Sequence, residues 1–183
     1  VGTILKFPNL QIVTPILIFF VVLFVGILPR VLLLEFQQEF FIMKTYSPIF
    51  LPVVVLVAWT MVMWFWMYIT RIPAILKMKL RLDSNAPRGE QMNTLPPSVR
   101  WKADNYNHLM EQPTIFYAVA IVLAMIGEGD GLNATLAWLY VALRVVHSLV
   151  QSIGNKIELR FSVFIFSSFA LLGLIVNALF ALT

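Results

Sequence analysis

Asp104, His108, Glu111, Arg144, His147 and Arg160 are the side chains whose types could do chemistry together. Carboxylates and imidazoles accept and donate protons near neutral pH, and guanidiniums hold anions through several fixed N–H groups. Three of them fall in "ADNYNHLMEQP", residues 103–113, a polar run at the start of an apolar segment. Residues three or four apart share one face of a helix. On that spacing Arg100, Asp104, Asn107 or His108, and Glu111 form a single stripe, and Asn105 lies to one side of it with Trp101 and His108. Pro113 has no N–H, which would free the carbonyl of Leu109. A second stripe, Arg144, His147 and Gln151, is continued by Asn155 at i+11.

Several chemistries are excluded or left without a motif. The chain has no cysteine, so it forms no disulfide, thiolate nucleophile or thiolate metal site. It has no G-x-S-x-G, no glycine-rich phosphate loop and no P-loop lysine motif. His108 and His147 are the only histidines. The H-x-x-E spacing of His108 and Glu111 is too common to define a metal centre, and no metal site is assigned. Read alone, His147 is a packing histidine.

The elements that carry the stripes are membrane spans. Hydrophobic residues make up 60% of the 183 residues and charged ones 12%, against about 45–50% and 25% in soluble domains. A span needs about 20 apolar residues. Segments 10–29, 47–69, 109–126, 134–153 and 161–182 qualify, and the helix of the third begins near Pro97 or Ser98. The first is read as an uncleaved anchor rather than a signal peptide, because it is long, lacks a small-residue cleavage site and runs on into "VLLLEF". "WTMVMWFWMY" reads as an interfacial aromatic belt. Neither strand alternation nor an internal repeat is evident. The fold class expected is therefore an all-α integral membrane protein.

Residues 71–102 read as a long loop in which Arg71, Lys77, Lys79, Arg81, Arg88, Arg100 and Lys102 outnumber Asp83 and Glu90. Residues 154–160 add Lys156 and Arg160 against Glu158. Positive charge flanking spans marks the cytoplasmic side, so both loops are expected there. The formal charge of +4 belongs to this pattern, and no nucleic-acid partner is expected. A charge at the bilayer centre costs at least about 2.5–3.5 kcal/mol on insertion scales. Glu111 and Arg144 therefore must not face lipid. The stripes should face each other, or a neighbouring subunit, around a polar cleft open to the cytoplasm. The structural alternative is a buried Glu111–Arg144 pair that sets helix register.

These residues resemble a known family. Residues 48–183 look like the bacterial branch of the MAPEG proteins, the membrane-associated proteins in eicosanoid and glutathione metabolism. The resemblance rests on "VMWFWMYITRIPAI" (62–75), the basic loop after it, and R-x-x-A-x-N followed by E-x-P-x-x-F-Y at Arg100, Ala103, Asn105, Glu111, Pro113, Phe116 and Tyr117. Arg144 and His147 form R-x-x-H, with Arg160 thirteen residues beyond. The resemblance implies a four-helix protomer that forms a homotrimer in the lipid bilayer of a bacterial inner membrane. It implies glutathione as co-substrate, in a cleft between protomers near the cytoplasmic face. Arg100, Asn105 or Asn107, and Glu111 would hold the tripeptide with Arg144, and His147 and Gln151 would complete the site. Arg160 would stabilise the thiolate, as a cation beside a thiol favours the anion. Glutathione-using members carry tyrosines at the positions of Gln151 and Phe164.

The four-helix plan covers residues 48–183 and leaves residues 1–47 as an additional N-terminal transmembrane helix with its connection, an anchor or a docking surface for other membrane subunits. Two functions follow. One is a glutathione-dependent transferase or peroxidase acting on lipophilic electrophiles. The other is a non-catalytic accessory subunit of a larger membrane complex. A lipid-binding role ranks third.

Overall fold

The computed structural model describes residues 46–80, 83–87 and 89–183. The expected additional helix within residues 1–47 lies outside the described residues. The chain divides into two units, and the second, Ser47–Thr183, is the one described below.

Its elements are α1 (Phe50–Lys77), the short α2 (Glu90–Asn93), α3 (Pro97–Leu109), α4 (Gln112–Met125), α5 (Gly131–Ile153) and α6 (Ile157–Leu182). α3 and α4 follow one another as a single broken span, Pro97–Met125. The described unit thus has four helical spans that are long and apolar enough to cross a membrane. The connection 126–130 falls at one end of the bundle, and 78–96 and 154–156 fall at the other. No strand is found among the described residues.

Each spanning helix buries a stripe and shows lipid the rest. On α1 the buried residues are Pro52, Leu56, Thr60, Met63 and Met67, a spacing of three to four that traces one face. Leu51, Val54, Val57, Met61, Phe65 and Ile69 are exposed on the same helix. Only 28% of its most apolar stretch is buried, which would be untenable in water and suits hydrocarbon. At 28 residues α1 is about 42 Å long at 1.5 Å per residue, beyond the roughly 30 Å of a hydrocarbon core.

That length corrects the loop expected at 71–102. α1 runs on through Arg71 and Lys77, and α3 starts at Pro97, so the irregular connection is confined to 78–96. Composition marks where hydrocarbon stops. A helix does not need to stop there, because lysine and arginine carry it into the headgroup region. Pro73 lies within α1 and withholds one backbone donor. One turn earlier, the Thr70 hydroxyl donates to the carbonyls of Trp66 and Met67 at 3.0 and 3.1 Å.

At the opposite end the start of α1 is tied to the connection between α4 and α5. The Ile49 N–H donates to the Gly129 carbonyl at 3.0 Å. Gly129 is buried, and a Cβ there would run into Ser47 Oγ and lie 2.9 Å from Ile49 Cγ2. Gly129→Ala is therefore expected to destabilise the bundle by about 1–3 kcal/mol, the usual range for overpacking. A lowered thermal midpoint in detergent, with helical content retained at low temperature, checks this.

Candidate functional site

The site is built around a break in the broken span. α3 ends at Leu109, and Glu111 (φ −94, ψ −98) is not helical. Pro113 acts there. Its ring excludes a normal turn over the carbonyl of Leu109, and the helix restarts at Gln112 with proline in its first turn, where the missing N–H costs nothing. The chain tightens instead, with Met110 N–H donating to Asn107 O at 2.9 Å and Glu111 N–H reaching His108 O at 3.4 Å. The Thr114 hydroxyl donates to the Glu111 carbonyl at 2.6 Å.

Arg144 of α5 completes the break. Its Nη2 donates to the His108 carbonyl at 3.1 Å. The side chain is fully buried, between the rings of Tyr140 and Phe164, whose centroids lie 5.9 and 5.6 Å from its guanidinium carbon. The carbonyl that gains the cation is thus His108's, one residue before the Leu109 carbonyl that sequence reasoning singled out. The break falls at 110–111, so the carbonyl turned toward α5 is displaced with it.

The two stripes do face each other within one chain. The His108 and His147 rings are 4.9 Å apart, and Phe164 of α6 lies against both, at 5.3 and 6.2 Å. Glu111 curls back so that its Oε2 sits 2.9 Å from His108 Nδ1. The Glu111–Arg144 pair of the structural alternative does not form; Glu111 pairs with the histidine on its own segment, and its side chain is 68% exposed.

A cleft of about 330 Å³ opens between these elements, lined by Asp104, His108, Glu111, His147, Gln151, Ile157, Arg160, Phe161 and Phe164. α3 contributes Asp104 and His108, one turn apart on one face. α5 contributes His147 and Gln151, also one turn apart. The first two turns of α6 contribute the remainder except Glu111, which the break supplies. Arg160 is held in place by Nη1 donating to Asn155 Oδ1 at 2.9 Å. Asn155 was expected to extend the α5 stripe. Instead α5 ends at Ile153, and Asn155 takes φ +45, a backbone state that asparagine tolerates better than most residues. It turns the chain into α6 and anchors Arg160.

Of the residues singled out in the sequence, Asp104, His108, Glu111, His147, Gln151 and Arg160 share the cleft wall, and Arg144 lies behind it. Asn107 is exposed and Asn105 is fully buried, and neither lines the cleft. Arg100 is half-buried and also outside the wall. Asn105 has both amide atoms without a hydrogen-bond partner, as do Arg144 Nε and Nη1, His147 Nδ1, Ser148 Oγ, Gln151 Oε1 and Ser152 Oγ. Each such group costs about 1–3 kcal/mol if left unbonded. This end of the bundle therefore calls for water, a ligand or a neighbouring chain's polar groups. Among the described residues no three His, Asp or Glu side chains converge on a metal position.

Sequence reasoning missed a polar chain deeper in the bundle. Tyr140 Oη reaches Gln112 Oε1 at 3.4 Å, and Gln112 Nε2 donates to Ser168 Oγ at 2.9 Å. Gln112 was visible only as the residue before Pro113. Its partners, 28 and 56 residues away, carry no local signal.

Four apolar spans closed around a polar cleft at one end define an all-α integral membrane protein. The MAPEG family model matches residues 49–180, and the chain belongs to the MAPEG family. No curated protein and no solved structure matches the chain.

Arg144→Ala removes the cation from the break and leaves a buried cavity. We expect a loss of about 2–5 kcal/mol, read as a lowered unfolding midpoint in detergent, with Arg144→Lys intermediate. Asn155→Gly keeps the turn but frees Arg160, and should lower stability by about 0.5–1.5 kcal/mol, the net worth of a typical hydrogen bond, read in the same unfolding midpoint.

Proposed function

We propose that the protein is a glutathione-dependent transferase or peroxidase acting on a lipophilic electrophile or hydroperoxide. It works as a homotrimer in a bacterial inner membrane, with the cleft open to the cytoplasm. The observation that carries this reading is the content of the cleft wall, which combines Arg160 with Asp104, Glu111 and two imidazoles. Glutathione bears two carboxylates, one ammonium group and a thiol, so it needs both signs of charge in one small site. The volume of about 330 Å³ is near the lower end of ligand pockets, roughly 300–1,000 Å³.

Arg160 favours the thiolate by placing a positive charge beside the sulfur. Arg144 adds positive charge from behind the wall. Glu111 and Asp104 suit the ammonium group. The exposed apolar side chains of Ile157 and Phe161 at the rim give a lipophilic second substrate a way in from the bilayer.

One observation favours the accessory-subunit reading. Phe164 occupies a position where the resemblance calls for a tyrosine hydroxyl, and its ring is packed against His108. An inactive subunit would keep the cleft as structure and emerge from gentle detergent purification in a fixed-stoichiometry complex without glutathione affinity.

The deciding experiment is turnover of glutathione with a lipophilic electrophile by wild type and Arg160→Ala. We expect kcat/KM to fall about 100-fold or more in the variant, the usual effect of removing a group that stabilises developing negative charge. Unchanged turnover removes Arg160 from the mechanism.

A further inference from the structure

Nothing in the reading above requires a base, yet the cleft contains one. We propose that His108, oriented by Glu111, is the general base that takes the thiol proton in this cleft. The inference rests on the thiol reading above and adds the proton's destination to it.

The dyad fixes the histidine's tautomer. A carboxylate only accepts hydrogen bonds, so at 2.9 Å the Glu111 oxygen places the proton on Nδ1. That leaves the Nε2 lone pair as the basic site of a ring that lines the cleft. The ring is held on two sides, by His147 at 4.9 Å and Phe164 at 5.3 Å between centroids. Its backbone carbonyl is clamped by Arg144. Position, tautomer and ring plane are thus each set by a separate contact, which is the arrangement a catalytic base needs.

His147 is the competing candidate. It lines the same cleft, but it has no carboxylate partner, and its Nδ1 is buried without one. Nothing orients it as Glu111 orients His108.

The step balances within the site. The S–H bond breaks, its electron pair stays on sulfur, and the proton forms an N–H bond at His108 Nε2. The resulting imidazolium shares its charge with Glu111 through Nδ1–H. It later returns the proton to the anion created when the thiolate attacks the electrophile. The charged groups around His108 are Asp104 and Glu111 on its own segment, Arg144 and the titratable His147 on α5, and Arg160 on α6. Two carboxylates thus offset two guanidiniums, so a proton can move from sulfur to nitrogen without leaving the cleft with a large net charge.

The test compares wild type, His108→Gln and His147→Gln in detergent. Glutathione binding is measured by calorimetry, the bound thiolate by its ultraviolet absorbance, and kcat/KM across pH. Both histidines of the chain line the cleft, so a wild-type limb that disappears with the substitution of one of them is assigned to it. We expect His147→Gln to keep that limb and His108→Gln to lose it. His108→Gln should also show a fall in kcat/KM of about 100-fold or more near neutral pH, recovery at alkaline pH, and a bound thiolate that appears only at higher pH. Partial rescue of His108→Gln by added imidazole should follow. If His108→Gln fails to fold, Glu111→Gln supplies the second reading, with the limb displaced at saturating glutathione, so that any loss of affinity from Glu111's contact with the ammonium group is separated from the change in the pH profile. A limb lost in His147→Gln and kept in His108→Gln overturns the proposal, as does a Glu111→Gln profile identical to wild type. If wild type binds no glutathione, both this proposal and the thiol reading fall. If wild type binds and turns over glutathione with no histidine limb, only this proposal falls.

Discussion

The guanidinium of Arg144 on the carbonyl of His108 is the contact on which the rest of this site depends. Each partner would be untenable alone. A buried arginine in a lipid-immersed bundle needs acceptors, and a carbonyl at a helix break needs a donor. Pro113 creates the break and Arg144 fills it. The turn that results swings Glu111 out of the helix and back onto His108, and it sets His108 against His147. Without the break the broken span would be one more regular helix, and Glu111 would continue the α3 stripe.

The second constraint is the solvent. The described helices put apolar side chains outward and carry their buried polar groups inside, one set around the cleft and another, Asn133 with Asn177 bonded at 2.7 Å, toward the opposite end. This inverts the usual reading of an exposed leucine or phenylalanine, which here faces hydrocarbon. It also explains why α5 places His147, Ser148, Gln151 and Ser152 on its buried face in the turns beyond Arg144. Lipid offers such groups no partner, so they collect where a ligand, water or another chain can reach them.

The cleft was partly legible in advance. The two stripes could be read from spacing because helical periodicity is local, and the cost of charge in lipid forces such stripes inward. Asn155 was misplaced because its spacing continues the α5 face while its backbone does not. The α5 helix ends two residues earlier, and asparagine is a residue that can take the left-handed turn. The alternative that paired Glu111 with Arg144 fails for a similar reason. Charge complementarity offered Arg144 as a partner, while the bend at Pro113 brought His108 closer. Tyr140, Gln112 and Ser168 left no trace in the sequence, since three polar residues so far apart meet only once the spans are packed.

By itself the sequence determined the solvent, the all-α class, the positions of the four described spans and the family to which they belong. These follow from composition, span length and short-range spacing, which act through neighbours along the chain. Only the tertiary structure decided that Asp104, His108, Glu111, His147 and Arg160 share one cleft, that Asn105 and Asn107 stand apart from it, and which groups bond. Those outcomes depend on where a helix breaks and on which face of one helix meets another. They are set by packing between residues dozens of positions apart, where differences of a single residue in register move a side chain from the wall of a site to its outside.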